Sequence, residues 1–233
     1  MPANIRLNNS VRQMLHTIRQ NNQVRDILII SGRPQKFLVN EFKNLPISLV
    51  CEHGSKYYNA IEKKWISLDN FNNKGWFPIV ESVMNDYCKH VPDSTVELKE
   101  FAISWHYRNS PSPFADYQSR KLTQDLDSML SGYPVSILNG KKVIEVRPVE
   151  ANKGSFVQGY ANMLFSKEKV EDYIFIAIGD DTTDEDMFRA VAPYGIAIRV
   201  GTEDTSAQYF LEKQQDVITF LETLNKDLSS SRI

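Results

Sequence analysis

The chain has 233 residues, of which 42% are hydrophobic and 24% are charged, and its formal net charge is −2. This composition is typical of a globular protein with one large domain or two small ones, and it argues against a disordered chain. The 27 basic residues are balanced by 29 acidic ones, which excludes the basic excess typical of nucleic-acid-binding proteins. The longest apolar run, Tyr173–Ile178, is far shorter than the roughly 18 residues needed to cross a bilayer. We therefore expect neither a nucleic-acid nor a membrane partner.

The N-terminus and the cysteines both favour a cytoplasmic protein. The first residues lack the apolar segment of a signal peptide. The two cysteines, Cys51 and Cys88, lie among apolar residues and have no metal-ligand spacing. We interpret them as buried thiols in a reducing compartment, with a disulfide as the less favoured alternative.

The first 54 residues alternate between helix and buried strand. Ser10 and Gln13 have the spacing of a capping box, which predicts a helix starting there. Ile27–Ile30 and Leu49–Cys51 are short apolar runs, typical of strands in a buried parallel sheet. Pro34 is expected to begin a second helix between them.

The middle of the chain has a different pattern, rich in hairpins. Strands are predicted on either side of a turn at residues 59–63, and two more within residues 95–108 with a turn near Glu100. Asn139-Gly140 predicts a hairpin between residues 135–138 and 142–147. Helical periodicity covers residues 77–88 and 114–130.

Helix and strand alternate again after residue 148. Helices are predicted from Lys153, after Asp181 and over residues 217–228, with strands at 173–178 and 196–200. The sequence therefore predicts an α/β protein in which residues 1–54 and 149–233 form the core. Residues 55–148 are predicted to form an inserted α+β module.

The strongest chemical motif is the acidic segment Ile178–Asp186, which follows a buried strand and begins a helix. Carboxylates at the carboxyl end of a parallel strand face the crevice where α/β sheets bind ligands. Their oxygens are the ligands that Mg²⁺ prefers. Helix capping would explain one or two of these acids, but it explains five in seven residues poorly.

Two further segments suggest anion binding. Ser31-Gly32-Arg33 follows a predicted strand, and a hydroxyl with free amides at such a turn forms an anion site. An ordinary serine cap explains that segment equally well. In Asn152-Lys153-Gly154 the lysine stands at a helix start, where it could reach a phosphate oxygen, although taken alone it is better explained as a surface lysine.

The predicted strands of the inserted module have charged residues at positions where strands usually have large apolar ones. Residues two apart share a strand face, which pairs these side chains: Glu97 with Lys99, His106 with Arg108, and Glu145 with Arg147. A solvated outer face of an antiparallel sheet is the usual explanation. Mixed acids and bases on three strands would also suit a polyhydroxylated ligand. Trp105 and Tyr107, on the opposite face, are predicted to pack in the core rather than to stack on a sugar.

Six segments, in this order and spacing, resemble the trehalose-6-phosphate phosphatases, a family of haloacid dehalogenase-like phosphatases. The resemblance covers about residues 10–224. The segments are Ser31–Arg33, Glu52–Gly54, Val96–Arg108, Gly140–Pro148, Asn152–Gly154 and Gly179–Phe188.

This resemblance implies a Rossmann-like core with a parallel sheet and a cap that selects the substrate and excludes water on closing. It implies Mg²⁺-dependent hydrolysis of trehalose 6-phosphate, through an aspartyl-phosphate, to trehalose and phosphate. It also implies a role in trehalose biosynthesis and fusion to, or association with, a trehalose-6-phosphate synthase. The implied roles are metal binding by Asp180 and Asp184, phosphate binding by Ser31 and Lys153, and sugar binding by Glu97, Lys99, Arg108 and Glu145.

One family motif is missing from these residues. The family begins with a buried strand that ends in Asp-x-Asp-Gly-Thr, whose first Asp is the nucleophile and whose second is the general acid/base. Asp125-Leu-Asp127 lies in a predicted helix, and Asp184-Glu-Asp186 belongs to the acidic segment. We therefore expect the first core strand to be absent and these 233 residues alone to be inactive.

Three alternatives stay open at this point. The sequence is a fragment of an active enzyme, or a protein without the nucleophile that binds or regulates through a sugar phosphate. The third alternative is a phosphatase for another sugar phosphate, such as sucrose phosphate.

Overall fold

The computed structural model describes residues 7–67 and 74–230. These residues form two compact units. The core unit contains residues 7–67 and 152–230, and the inserted unit contains residues 74–151.

The core unit alternates helices with mostly parallel strands. Its helices are α1 (Asn9–Gln20), α2 (Gln35–Glu41), α5 (Lys153–Phe165), α6 (Glu185–Val191) and α7 (Gln214–Ser230). Its strands are β1 (Leu28–Ile30), β2 (Ser48–Cys51), β3 (Lys56–Asn59), β4 (Lys64–Ser67), β9 (Phe175–Gly179), β10 (Gly195–Val200) and β11 (Tyr209–Leu211).

Within the described residues, the strands of the core unit form two separate sheets. One has the order β1-β2-β3-β4, in which β1 and β2 are parallel and β3 and β4 form an antiparallel hairpin. The other has the order β11-β10-β9 and is wholly parallel. Each sheet therefore ends on a parallel strand, β1 or β9, that is paired on one side.

The two end strands are less buried than their apolar sequences predict. All of β2 is buried, whereas every residue of β1 is half-buried. On β9, Ile176 is 41% exposed although Ala177 beside it is buried. Ala177 lies in one apolar cluster with Val50, Phe156 and Phe188, so this face of the sheet packs on α5 and α6. Apolar surface on β1 and β9 thus remains in contact with solvent.

The inserted unit is a four-stranded antiparallel sheet with two helices. Its elements are α3 (Phe77–His90), β5 (Thr95–Leu98), β6 (Ile103–His106), α4 (Ser112–Leu130), β7 (Val135–Gly140) and β8 (Val143–Pro148), and the sheet order is β5-β6-β8-β7. Trp105, Tyr107 and Ile144 pack with Met84 of α3 and Leu126 of α4 in a single core. Trp105 and Tyr107 lie inside this core, as the sequence pattern predicts, and their rings are stacked on each other.

Three details differ from the sequence predictions. The α1 N-cap is Asn8, whose side chain accepts a bond from the Ser10 amide, so Ser10 is not the cap. Strand β11 has no counterpart in the prediction. The sequence predicts that the inserted module covers residues 55–148, whereas in the structure the core unit extends to Ser67 and resumes at Asn152. The first boundary differs because β3 pairs with β2, which keeps the β3–β4 hairpin in the core unit.

Neither cysteine is in a disulfide: Cys51 is buried in the core unit, and Cys88 is half-buried in the inserted unit. Over the described ranges, every helix is too short or too polar to cross a membrane.

The Asp26 carboxylate is a pH-sensitive point of the core unit. Its side chain is almost wholly buried, and it accepts bonds from the Ser48 hydroxyl and the Ile27 amide. Burial raises its pKa above the ordinary value of 3.8, and the bond from Ser48 opposes this only in part.

We predict that Asp26→Asn changes the pH dependence of stability. A raised pKa favours the protonated form in the folded state, so wild type loses stability from this group as pH rises above about 4. Asn carries no charge, and the free energy of unfolding of the variant, relative to wild type, should increase between pH 4 and pH 7. Urea unfolding at both pH values measures this, and a difference independent of pH would contradict it.

Candidate active site

The acidic segment lies at the carboxyl end of β9, as the sequence predicts. Asp180 directly follows the strand and is exposed. The next residues form a 3₁₀ turn, Thr182–Asp184, before α6 begins at Glu185. Asp181 caps this turn, because its side chain accepts a bond from the Thr182 amide at 2.7 Å. Asp180 and Asp181 are both exposed, but the Asp181 carboxylate is engaged in capping the turn.

Lys153 and Asp184 form a buried ion pair. The Lys153 Nζ lies 2.6 Å from Asp184 Oδ1, and the two side chains are 10% and 6% exposed. The other Asp184 oxygen, Oδ2, accepts the Asp181 amide at 2.9 Å. One carboxylate thus connects the first residue of α5 to the loop that carries Asp180.

Gly179 allows this arrangement. A Cβ atom at position 179 would lie 2.4 Å from the Asp184 Cγ, far inside van der Waals contact. Glycine is therefore required where β9 ends, because any side chain would displace the Asp184 carboxylate.

A second buried network, which the sequence did not reveal, supports the same loop. Arg199 of β10 is only 3% exposed, and its guanidinium donates to the Asp181 carbonyl at 3.0 Å. It also lies 3.5 Å from Glu185, which accepts bonds from Ser206 and Thr205. Burial acts to raise the Glu185 pKa, but these bonds and Arg199 outweigh it and lower the pKa. The loop after β9 is thus fixed by two contacts, from Asp184 to the Asp181 amide and from Arg199 to the Asp181 carbonyl.

Ser31 lies just after β1, and its amide is not available to an anion. That amide donates to the Val50 carbonyl at 3.0 Å, which continues the pairing of β1 with β2. The Ser31 hydroxyl accepts the Arg33 amide at 3.2 Å and can still donate its own proton. The sequence-based expectation of free amides is wrong at Ser31, because the sheet uses that group.

The charged residues of the inserted unit lie mainly on one face of its sheet. The register aligns Glu97, Ser104 and Glu145 in one row across three strands. Glu145 accepts bonds from Lys99 and from the Ser104 hydroxyl. Glu97 lies 2.8 Å from the ring of His106. This is a network of paired acids and bases rather than an array of solvated charges.

Arg108 differs from the other residues of this group. It follows β6, is exposed, and donates to the Lys141 carbonyl at 3.1 Å. The pairing of Arg108 with His106 on one strand face is therefore not seen, because the strand ends at His106.

The donor set at the end of β9 suits a hard cation held partly by water. Over the described ranges, no cluster of three Asp, Glu, His or Cys side chains could enclose a metal. Mg²⁺ is usually bound by one or two carboxylates with water and phosphate oxygens, which Asp180 fits. Asp184 is buried and paired with Lys153, so we expect it to support the site rather than to face the cation.

The fold is that of the haloacid dehalogenase-like hydrolases. A haloacid dehalogenase-like hydrolase from Bacteroides thetaiotaomicron shares the fold, with a TM-score of 0.68 at 15% identity over 93% of this chain and 94% of that one. The chain belongs to the trehalose-phosphatase family, whose sequence model matches residues 2–215.

Relatives and solved structures agree with this family. The chain is 36% identical to α,α-trehalose-phosphate synthase [UDP-forming] B of Dictyostelium discoideum and 35% identical to the trehalose-phosphatase of Zygosaccharomyces rouxii. These matches cover 86% and 70% of this chain, but 25% and 20% of the relatives. The C-terminal domain of C. albicans trehalose-6-phosphate phosphatase has a TM-score of 0.87 at 27% identity, over 97% of this chain and 86% of that one. The chain thus spans about a quarter of the length of the curated relatives it matches.

We predict that Lys153→Met strongly destabilises the core unit. The substitution leaves the Asp184 carboxylate buried without its cation, which typically costs about 3–5 kcal/mol. Lys89→Met is the matched control, because Lys89 pairs with Asp86 at the same 2.6 Å but on the surface. The free energies of unfolding in urea measure both, and equal effects would contradict a structural role for the buried pair.

Proposed function

We propose that this chain provides the metal, phosphate and sugar-binding parts of a trehalose-6-phosphate phosphatase. The observation that carries this proposal is the buried Lys153–Asp184 pair, which joins the helix start at Lys153 to the Asp180 loop. Its support from the comparisons is the family match over residues 2–215. A trehalose-6-phosphate synthase, fused or associated, is the partner proposed from the relatives.

Each group of the core unit has a defined role in this proposal. Asp180 holds Mg²⁺, and Asp184 keeps the loop and Lys153 in place. When bound, Mg²⁺ supplies positive charge that stabilises and orients the transferring phosphoryl group. Lys153 has three N–H donors, and those not used by Asp184 bind phosphoryl oxygens together with the Ser31 hydroxyl.

The sugar is assigned to the charged face of the inserted unit. A carboxylate offers about four acceptor positions, so Glu145 can accept sugar hydroxyls in addition to Lys99 and Ser104. Glu97 and Lys99 are further partners on this face. The exposed Arg108 guanidinium, on the loop after β6, is a further hydrogen-bond donor to the sugar.

The reaction itself needs a nucleophilic carboxylate, which the family supplies from an Asp-x-Asp-Gly-Thr motif. The 233 residues do not contain this motif. An Asp oxygen would form a bond to phosphorus while the bond from phosphorus to the sugar oxygen breaks, and the second Asp would protonate the leaving sugar. Water would then hydrolyse the aspartyl-phosphate and release phosphate. The parallel edges of β1 and β9 suit one further parallel strand bearing these residues, because both edges retain unfilled pairing positions within the described sheets.

A second candidate function is binding of trehalose 6-phosphate without hydrolysis. The lack of the Asp-x-Asp-Gly-Thr motif in the 233 residues is the observation that favours it.

Phosphate release from trehalose 6-phosphate distinguishes the two candidates. We predict no release by the 233-residue chain and Mg²⁺-dependent release by a version extended at its N-terminus with a strand ending in Asp-x-Asp-Gly-Thr. Release by the short chain at a comparable rate would contradict the proposed nucleophile. Binding by both versions with release by neither would favour the second candidate. Sucrose phosphate, tested in parallel, measures substrate selectivity.

We predict that Asp180→Asn abolishes Mg²⁺-dependent release by the extended version while the protein stays folded. Asn removes the charge that holds the cation but keeps the size of the side chain, and Asp180 is exposed, so the fold does not depend on it. Circular dichroism checks folding. Asp204→Asn, at another exposed carboxylate of the core unit, is the control and should leave turnover unchanged. Activity of Asp180→Asn at ordinary Mg²⁺ concentrations would remove Asp180 from the site.

We predict that Glu97→Ala in the extended version reduces turnover of trehalose 6-phosphate far more than turnover of a small aryl phosphate. The variant loses a carboxylate acceptor for the sugar and leaves His106 without its partner. A loss of kcat/KM of about 10-fold or more for the sugar substrate is expected from one charged hydrogen bond. Equal losses on both substrates would assign Glu97 to the fold or the chemistry instead.

A further inference from the structure

The turn Glu52–His53–Gly54 has a strained backbone. All three residues have φ in the left-handed region, at 45°, 60° and 121°. Glycine adopts such values readily, but Glu and His pay a steric penalty there. Such strain persists only where the surrounding structure imposes it, and it is common at functional sites.

On one side the turn is fixed to the Ser31 segment. The His53 amide donates to the Ser31 carbonyl at 3.0 Å, and the Glu52 amide donates to the Arg33 carbonyl at 3.2 Å. The His53 ring also lies directly on Gly32, since a Cβ atom at position 32 would be 2.2 Å from the His53 Nε2. The turn therefore determines the path of the backbone that carries the Ser31 hydroxyl.

On its other side the turn contacts the start of α5. A Cβ atom at Gly54 would lie 2.9 Å from the Phe156 Cβ and 3.2 Å from the Asn152 carbonyl oxygen. Asn152 is the N-cap of α5, and Lys153 is its first residue. The strained turn thus lies between the two segments that carry Ser31 and Lys153.

We propose that the turn Glu52–His53–Gly54 is a positioning element that sets the spacing between the Ser31 hydroxyl and the Lys153 ammonium. His53 is the positioning residue on the Ser31 side, and it acts through Gly32 rather than by touching the phosphate. This inference rests on the proposed function in one respect, the binding of phosphate by Ser31 and Lys153.

His53→Gly separates positioning from stability. Glycine accepts a φ of 60° without strain, so the relief of strain offsets the loss of ring contacts. We expect the thermal midpoint to change by no more than about 4 °C. The dissociation constant of the 233-residue chain for inorganic phosphate should nevertheless increase at least about 5-fold, because the Ser31 segment loses the ring that packs on Gly32.

Gly32→Ala tests the contact from the other side. The new methyl group collides with the His53 ring, so the single variant Gly32→Ala, in which His53 is present, should bind phosphate more weakly than wild type. In the double variant Gly32→Ala/His53→Gly no ring is present, so the Ala should add little to the effect of His53→Gly. Gly159→Ala, whose Cβ would meet nothing within 4 Å, is the matched control and should bind phosphate like wild type.

Ser31→Ala distinguishes failure of this inference from failure of the proposed site, whereas Lys153→Met is unsuitable because it is expected to destabilise the core unit. If Ser31→Ala weakens phosphate binding and His53→Gly does not, the positioning role is wrong and the site stands. A loss of affinity in His53→Gly that only follows a large fall in thermal midpoint would also overturn it.

If wild type binds no phosphate, the proposed site is wrong, and backbone order becomes the readout. Faster amide exchange confined to residues 31–33 in His53→Gly would then support positioning, and unchanged exchange would overturn it.

Discussion

The site depends on the buried ion pair between Lys153 and Asp184. Two charges so nearly excluded from water are stable only together, because each would carry a large desolvation cost alone. The pair therefore fixes the start of α5 against the end of β9. Through its second oxygen, Asp184 also fixes the Asp181 amide, which directly follows the exposed Asp180. One carboxylate thereby links the Lys153 ammonium group to the loop of Asp180, 27 residues away in sequence.

Much of the fold follows from local sequence patterns. Short apolar runs located β1 and β2, and Asn139-Gly140 located the hairpin of β7 and β8, because these signals act over a few residues. Strand β11 was missed, since Tyr209–Leu211 has only three residues and two of them are exposed. The boundary of the inserted unit was placed differently because pairing of β3 with β2 is a tertiary choice that a hairpin pattern does not encode.

The candidate site was predictable in its residue types but not in its pairings. Five acids in seven residues indicate a cation, and the structure puts them at the end of a parallel strand. Lys153 taken alone suggested a surface lysine, since lysines are almost never buried without a partner. The partner lies in another segment, so only the fold reveals the pair. Arg199 was missed for the same reason, because its contacts come from Asp181, Glu185 and Glu203.

The pre-formed pairs on the charged face of the inserted unit would suit the neutral sugar that is proposed to bind there. Lys99 and Ser104 both donate to one Glu145 oxygen, and His106 lies beside Glu97, so these side chains are oriented before any ligand arrives. A sugar hydroxyl can both donate and accept, and it can join such a network without breaking the ion pair. Oriented acceptors lose little conformational entropy on binding. They also penalise a ligand whose hydroxyls are in the wrong place, because a buried acceptor without its donor costs about 1–3 kcal/mol. Selectivity on this face would therefore come from the mismatch of wrong sugars more than from the strength of any one contact.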